Sequence, residues 1–233
     1  MFRAKSIADA LTTALMATAA IAIIVLVVRV ESRPNRPTWV SLPLPTKTVS
    51  LDRAVLRGSS AAGLAVVVYS DFQCPFCRRL ALDTLPQFES DYVDRGRVQL
   101  GFQAFPLVNV HEFAERTTQA ARCADQQHRF WQMHDLLFAD PEHVDDASLL
   151  ARASRIGMDT TEFTDCLARP ASDAVRDDIA AGVTVGIRGT PTVFIGNVLP
   201  SGLLNVTDAL TGAIPYTDLA SIVDRRLKEA IRH

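Results

Sequence analysis

Cysteine is scarce in this chain, four in 233 residues, far below the density of a small disulfide scaffold. Excess positive charge is absent too. Twenty-four Lys and Arg face 26 Asp and Glu, a formal net charge of −2, so no global basic field points to nucleic acid. Glycine and proline, 11 and 12, are too few for a collagen-like or disordered chain, and 48% apolar residues is ordinary for a folded one. There is no internal repeat, no low-complexity tract and no methionine-rich or histidine-rich run. The last absence weighs against a copper or zinc carrier. The length fits one large domain or two small ones.

Charge is also missing locally. Ala10 to Val28 holds 19 residues without one, ending in Ile21-Ala22-Ile23-Ile24-Val25-Leu26-Val27-Val28. As a helix it would be about 28 Å long, close to the hydrocarbon core of a bilayer. A cleaved signal would carry a small-residue site just after its apolar core, and Arg29-Val30-Glu31-Ser32-Arg33-Pro34 offers none. Residues 1–30 are therefore expected to be an uncleaved signal anchor, making a single-pass protein of the cell membrane. Arg3 and Lys5 before the span nearly balance Arg29, Arg33 and Arg36 after it. An inside amino terminus is chosen partly for the chemistry below.

Residues 31–46, with Pro34, Pro37, Pro43 and Pro45, read as a semi-rigid stalk. From residue 38 onward 19 basic and 24 acidic side chains leave the globular part acidic. Thr48 to Leu51 is a short strand candidate, and the apolar, β-branched run Leu64 to Tyr69 predicts a strand buried on both faces. A helical pattern then runs to about Asp94, and Val98 to Phe105 reads as the next strand of a parallel crossover. Helical patterns follow at Glu112 to Asp125, Arg129 to Phe138, Ala147 to Ile156, Thr161 to Leu167 and Ser172 to Val183. Strand character returns at Pro191 to Ile195, and Tyr216 to Ile231 closes as an amphipathic helix.

The chemistry lies in Cys74-Pro75-Phe76-Cys77, directly after the buried strand. Cys74 falls at the helix N-cap and Pro75 at the first helical position, where its missing N–H is harmless. Free amides and the positive end of the helix dipole favour a thiolate at Cys74, and Arg78 could add to this. Cys77 would be the resolving thiol that attacks a mixed disulfide. The competing reading is a zinc site completed by Cys123 and Cys166, but these are isolated singles and no second close pair exists.

The segment Val67-Val68-Tyr69-Ser70-Asp71-Phe72-Gln73-Cys74-Pro75-Phe76-Cys77 resembles the active-site segment of the DsbA-like branch of the thioredoxin superfamily. Thr84-Leu85-Pro86, Phe105-Pro106-Leu107, Phe130 to Phe138 and Gly189-Thr190-Pro191-Thr192-Val193-Phe194-Ile195-Gly196 extend the resemblance in family order over roughly residues 47 to 230. It implies an α/β thioredoxin fold with a helical insertion: first half 47–110, insertion 111–185, second half 186–233. It also implies thiol–disulfide exchange on reduced exported polypeptides. Pro191 would be cis beside the cysteines, and Thr190 and Pro191, with Pro75 and Phe76, would guide the substrate chain.

The sequence departs from the family twice. Val68 stands where these proteins carry a buried acid six residues before the first cysteine, so proton transfer at Cys77 must rely on water or another group. Phe76 replaces the histidine of DsbA and gives the thiolate no charged donor, so a less oxidising pair is expected. Cys123 and Cys166, 43 residues apart, are expected to form a structural disulfide within the insertion, with two free buried thiols as the alternative. Asp71 reads as a loop or capping residue, His134 as structural, and His111 and His128 as solvated. The Phe130, Trp131, Met133, Leu136 and Leu137 cluster reads as insertion core, and the sequon Asn205-Val206-Thr207 receives no role.

The chain is thus expected to be a membrane-anchored, extracytoplasmic (periplasmic) thiol–disulfide oxidoreductase with no cofactor or bound metal. As an oxidase it would be re-oxidised by a quinone-linked membrane partner. Isomerase or reductase duty, or a metal-chaperone role, would use the same thiols.

Overall fold

A computed structural model of the protein describes residues 15–23, 38–170 and 172–230. Residues 15–23 are helical and lie inside the uncharged stretch; the rest of the expected anchor falls outside the described residues. Among the described residues no helix is long and apolar enough to cross a membrane.

From Thr38 onward the chain forms one compact unit around a seven-stranded sheet. The strands are β1 (Trp39–Ser41), β2 (Val49–Ser50), β3 (Val55–Arg57), β4 (Leu64–Ser70), β5 (Gln99–Ala104), β6 (Thr192–Val198) and β7 (Leu203–Gly212). Their order is β1-β7-β6-β4-β5-β3, with β2 also on β7. Only β4 and β5 run parallel, and the crossover between them carries the cysteine motif. Every residue of β4 is buried, as its unbroken apolar run requires of a strand covered on both faces. Leu64, Val66 and Val68 pack with Leu80, Phe88 and Ile195 on one side; Ala65, Val67 and Tyr69 pack with Phe105 and Phe194 on the other.

The crossover begins as α1 (Pro75–Arg79) and continues through a π-helical turn at Leu80–Thr84, an α-helical turn α2 (Leu85–Phe88) and a second π-helical turn at Glu89–Val93. The sequence pattern predicts one plain helix here. Pro86 explains the first widening: it has no N–H to donate, and its ring would clash with the preceding turn of a regular helix. The wider turn, closed by Leu85 N–H on the Leu80 carbonyl, removes that conflict.

The helical block comprises α3 (Ala114–Gln126), α4 (Phe130–Ala139), α5 (Asp146–Arg155), α6 (Thr160–Leu167) and α7 (Ser172–Thr184). Asp145 caps α5 by accepting the Ser148 amide, and Asp159 caps α6 by accepting the Thr161 and Glu162 amides. The last helix, α8 (Tyr216–Ala230), buries Leu219 and Val223 against the β4 core.

Three strands were not legible. Within the stretch read as stalk, Trp39–Ser41 is a sheet-edge strand, and Trp39 Nε1 donates to Asp218 on α8 at 2.7 Å. β3 and the ten-residue β7 likewise lie outside the strands the sequence predicts. β7 follows a register shift at Ile195/Gly196, where a Cβ on Gly196 would run into the Asn205 carbonyl. The sequon residues lie on this strand.

Candidate active site

Cys74 occupies the N-cap of α1 with φ −71° and ψ 122°, and Pro75 stands at the first position. Its thiol is pulled down to about 5, first by a hydrogen bond from the Cys77 thiol. Burial opposes this, while the Cys77 and Phe76 amides support the thiolate. Cys77 is displaced in the opposite direction. It is 1% exposed, and burial and then the neighbouring Cys74 hold its thiol well above the ordinary range, against the Ser70 hydroxyl and the Asp71 amide. One thiol is therefore poised as a thiolate and the other holds its proton.

Arg78 does not contribute as expected. Its Nε donates to the Phe138 carbonyl at 2.8 Å and a terminal nitrogen to Ala139 at 3.3 Å, so the guanidinium caps the end of α4. Phe76 is 48% exposed beside Cys74, with the Arg79 guanidinium 5.7 Å from its ring centroid.

The Thr190–Pro191 bond is cis, and the Thr190 carbonyl lies 3.4 Å from Cys74 Sγ. Pro191 immediately precedes β6. Its carbonyl accepts from the Gly212 amide and the Thr211 hydroxyl, both at 3.0 Å, which fixes the loop to β7. The sheet thus brings together residues 116 positions apart, Cys74 and Thr190.

Asp71 does more than cap its own loop. Its fully buried carboxylate accepts from the Gln73 amide at 2.8 Å, the Leu107 amide at 2.7 Å and His111 Nδ1 at 2.8 Å. His111 is therefore partnered rather than solvated, whereas His128 is exposed. No spacing signal could have paired Asp71 with His111 across 40 residues.

Behind the motif, Phe72 stacks on Phe102 at 5.1 Å and contacts Phe138 at 5.0 Å. Of the cluster expected to be insertion core, Phe130, Met133 and Leu137 are buried with Trp131 packed against them, in a core that also holds Phe138 and extends to Cys74 and Cys77 themselves. His134 sits in it at 3% exposure, its Nδ1 2.9 Å from Asp135.

Cys123 on α3 and Cys166 on α6 are joined in a disulfide. They are bonded to each other and cannot complete a four-thiolate site with the motif. Among the described residues no group of three or more His, Cys, Asp or Glu could hold a metal ion.

The protein comparisons agree with this architecture. A family model described as Thioredoxin matches residues 50–211. A Na(+)/H(+) antiporter NhaA 3 of Salinispora tropica is 34% identical over 167 residues, 71% of this chain but 25% of that protein, so the chain spans about a quarter of that relative's length. A probable disulfide bond formation protein D of Bacillus anthracis is 26% identical over 61% of this chain and 69% of its own. The solved structure of Wolbachia pipientis alpha-DsbA1 superposes with a TM-score of 0.68 at 19% identity, covering 78% of this chain and 95% of that one. With a family match over most of its length and the corresponding fold around a Cys-Pro-Phe-Cys helix start, this chain belongs to the thioredoxin family.

Proposed function

We propose that the chain is a DsbA-like thiol–disulfide oxidoreductase in which Cys74 is the nucleophile and Cys77 the resolving thiol. The observation that carries this is the opposed chemistry of two thiols three residues apart. Cys74 is drawn down to about 5 at a helix N-terminus, and its partner is buried and proton-bound. Thr190 and Pro191, beside Cys74, together with Pro75 and exposed Phe76, would form the surface that receives a substrate chain.

The direction we assign is oxidation of reduced exported polypeptides, with re-oxidation by a quinone-linked membrane partner. A Cys74 value of about 5 falls between about 7 for thioredoxin and about 3.5 for DsbA, which supports an intermediate oxidising strength. The disulfide between Cys123 and Cys166 fits an extracytoplasmic, oxidising compartment. Anchoring through the amino-terminal stretch is supported by its 19 uncharged residues.

The test is formation of disulfides in a reduced, unfolded polypeptide with glutathione disulfide as the terminal oxidant. The intact protein should accelerate it, Cys74→Ser should lose the acceleration, and Cys77→Ser should accumulate a mixed disulfide through Cys74. Acceleration by Cys74→Ser equal to that of the intact protein would overturn the assignment.

A further inference from the structure

Asp71 is a buried acid that the exchange chemistry leaves without a role. Its side chain is 0% exposed, and donors take up both carboxylate oxygens. Oδ1 accepts the Gln73 amide at 2.8 Å, while Oδ2 accepts the Leu107 amide at 2.7 Å and His111 Nδ1 at 2.8 Å. A carboxylate so occupied is not free to take the Cys77 proton. Burying one is costly unless its bonds hold something in place, and what they hold lies next to the cysteine motif.

That something is the turn from β4 into α1. The Asp71 carbonyl accepts the Cys74 amide at 3.1 Å, and the Ser70 carbonyl accepts the Phe105 amide at 2.8 Å. The Gln73 side-chain oxygen accepts the Phe113 amide at 2.6 Å. Together with the bonds from Leu107 and His111 to Asp71, these lace residues 70–73 to the loop of residues 105–113. The Asp71 carboxylate supplies two of the laces and closes its own turn through Gln73.

Resting on the roles given above to Cys74 and Cys77, we propose that Asp71 is a positioning residue for the resolving step. Its carboxylate fixes the main chain that runs between the two thiols. The Asp71 carbonyl meets the Cys74 amide, and the Asp71 amide donates toward the Cys77 sulfur. In the resolving step Cys77 releases its proton to the medium and its thiolate attacks Cys74 Sγ. The Cys74–substrate bond breaks, and the substrate sulfur departs as a thiolate. The reverse reaction expels Cys77 as the same thiolate. Burial opposes that charge, and an N–H held in place beforehand favours it without reorganisation at the moment of reaction. The carboxylate acts through the main chain and not on the sulfur.

This role has a sign that charge alone would not give. A carboxylate near a thiol disfavours the thiolate, so mere loss of its charge would ease ionisation of Cys77. Loss of positioning does the reverse, because the donor drifts off the sulfur. Asp71→Asn separates the two. It keeps the shape and replaces one acceptor oxygen by an NH2 that faces donors.

The experiment mixes reduced protein with glutathione disulfide, quenches with acid at intervals, and follows the protein–glutathione mixed disulfide by mass spectrometry. Formation reports attack by Cys74, and decay reports attack by Cys77. In Asp71→Asn the decay at pH 7 should slow about 10-fold, with its inflection raised by about one pH unit, as for one misaimed bond to a charged sulfur. Formation should stay within about threefold. His111→Ala should act in the same direction to a smaller degree, and His111→Gln, which keeps an N–H donor, should recover the intact behaviour. An unchanged or lowered inflection in folded Asp71→Asn overturns the proposal. So does equal slowing of both phases with the inflection in place, the mark of a loosened fold. Should Asp71→Asn not fold, His111→Ala decides by the same criteria, at a side chain 18% exposed. Failure of the intact protein to reduce glutathione disulfide overturns instead the thiol assignment on which the positioning rests.

Discussion

The four cysteines form two pairs with opposite environments. Cys74 and Cys77 lie three residues apart at a helix start, with donors aimed at one sulfur and apolar burial around the other. Cys123 and Cys166 lie 43 residues apart on two helices, with the Gln119 amide bonded to the Cys166 carbonyl at 3.0 Å beside them. The first pair has a thiolate-favouring donor set and sits beside the cis-proline loop. The second has neither. Exchange chemistry therefore follows from where a sulfur sits on its helix and which donors meet it, and cysteine count alone says nothing about it.

The sharpest way to break this contrast is by substitution. Cys74→Ser should abolish disulfide exchange, a loss of at least about 10³-fold for removal of a nucleophile, while Cys123→Ser with Cys166→Ser should leave the exchange rate of the folded protein within about twofold. Stability should show the converse. Opening a 43-residue loop should lower the unfolding free energy by about 4 kcal/mol in the chain-entropy view, read by denaturant titration. A loss below about 1 kcal/mol would show that the second pair is no staple.

A smaller effect distinguishes the pairs by pH. The folded Cys74 value of about 5 lies below that of an unfolded thiol near 8.5. The reduced protein therefore owes stability to this thiolate fully above about 8.5, and loses it as pH falls through about 5. Urea unfolding of reduced protein should show a decline between these limits that Cys74→Ser lacks. The smallest expected effect is at Arg78. Because its guanidinium is bonded to the carbonyls of Phe138 and Ala139, Arg78→Ala should cost about 1 kcal/mol of stability and leave the pH dependence of Cys74 alkylation unchanged. A rise in that inflection would return Arg78 to the site.

Much of this was legible along the chain where one element carries its own signal. The apolar run of β4, the Cys-Pro start of α1 and the face of α8 each depend on neighbours within a few residues. β7 was not legible: its burial alternates only in part, with Asn205, Thr207 and Asp208 breaking the pattern. β1 was hidden by prolines that suit an edge strand as well as a stalk. In the site, the thiol pair and Thr190-Pro191 could be read from their motifs. The Asp71–His111 link could not, because it joins residues brought together only by docking of the insertion on the sheet. Arg78 differs from expectation for a related reason. Its place one turn after Cys74 suggested a partner that α4 takes instead.

The most direct measurement is a titration of the intact protein across glutathione redox buffers, with each disulfide mapped by mass spectrometry. Cys74–Cys77 should open and close within the range these buffers span, while Cys123–Cys166 stays closed throughout, as expected for a structural bond with a potential below about −300 mV. Joint reduction of the two pairs, or a Cys74–Cys77 bond that never opens, would contradict the division of labour between them.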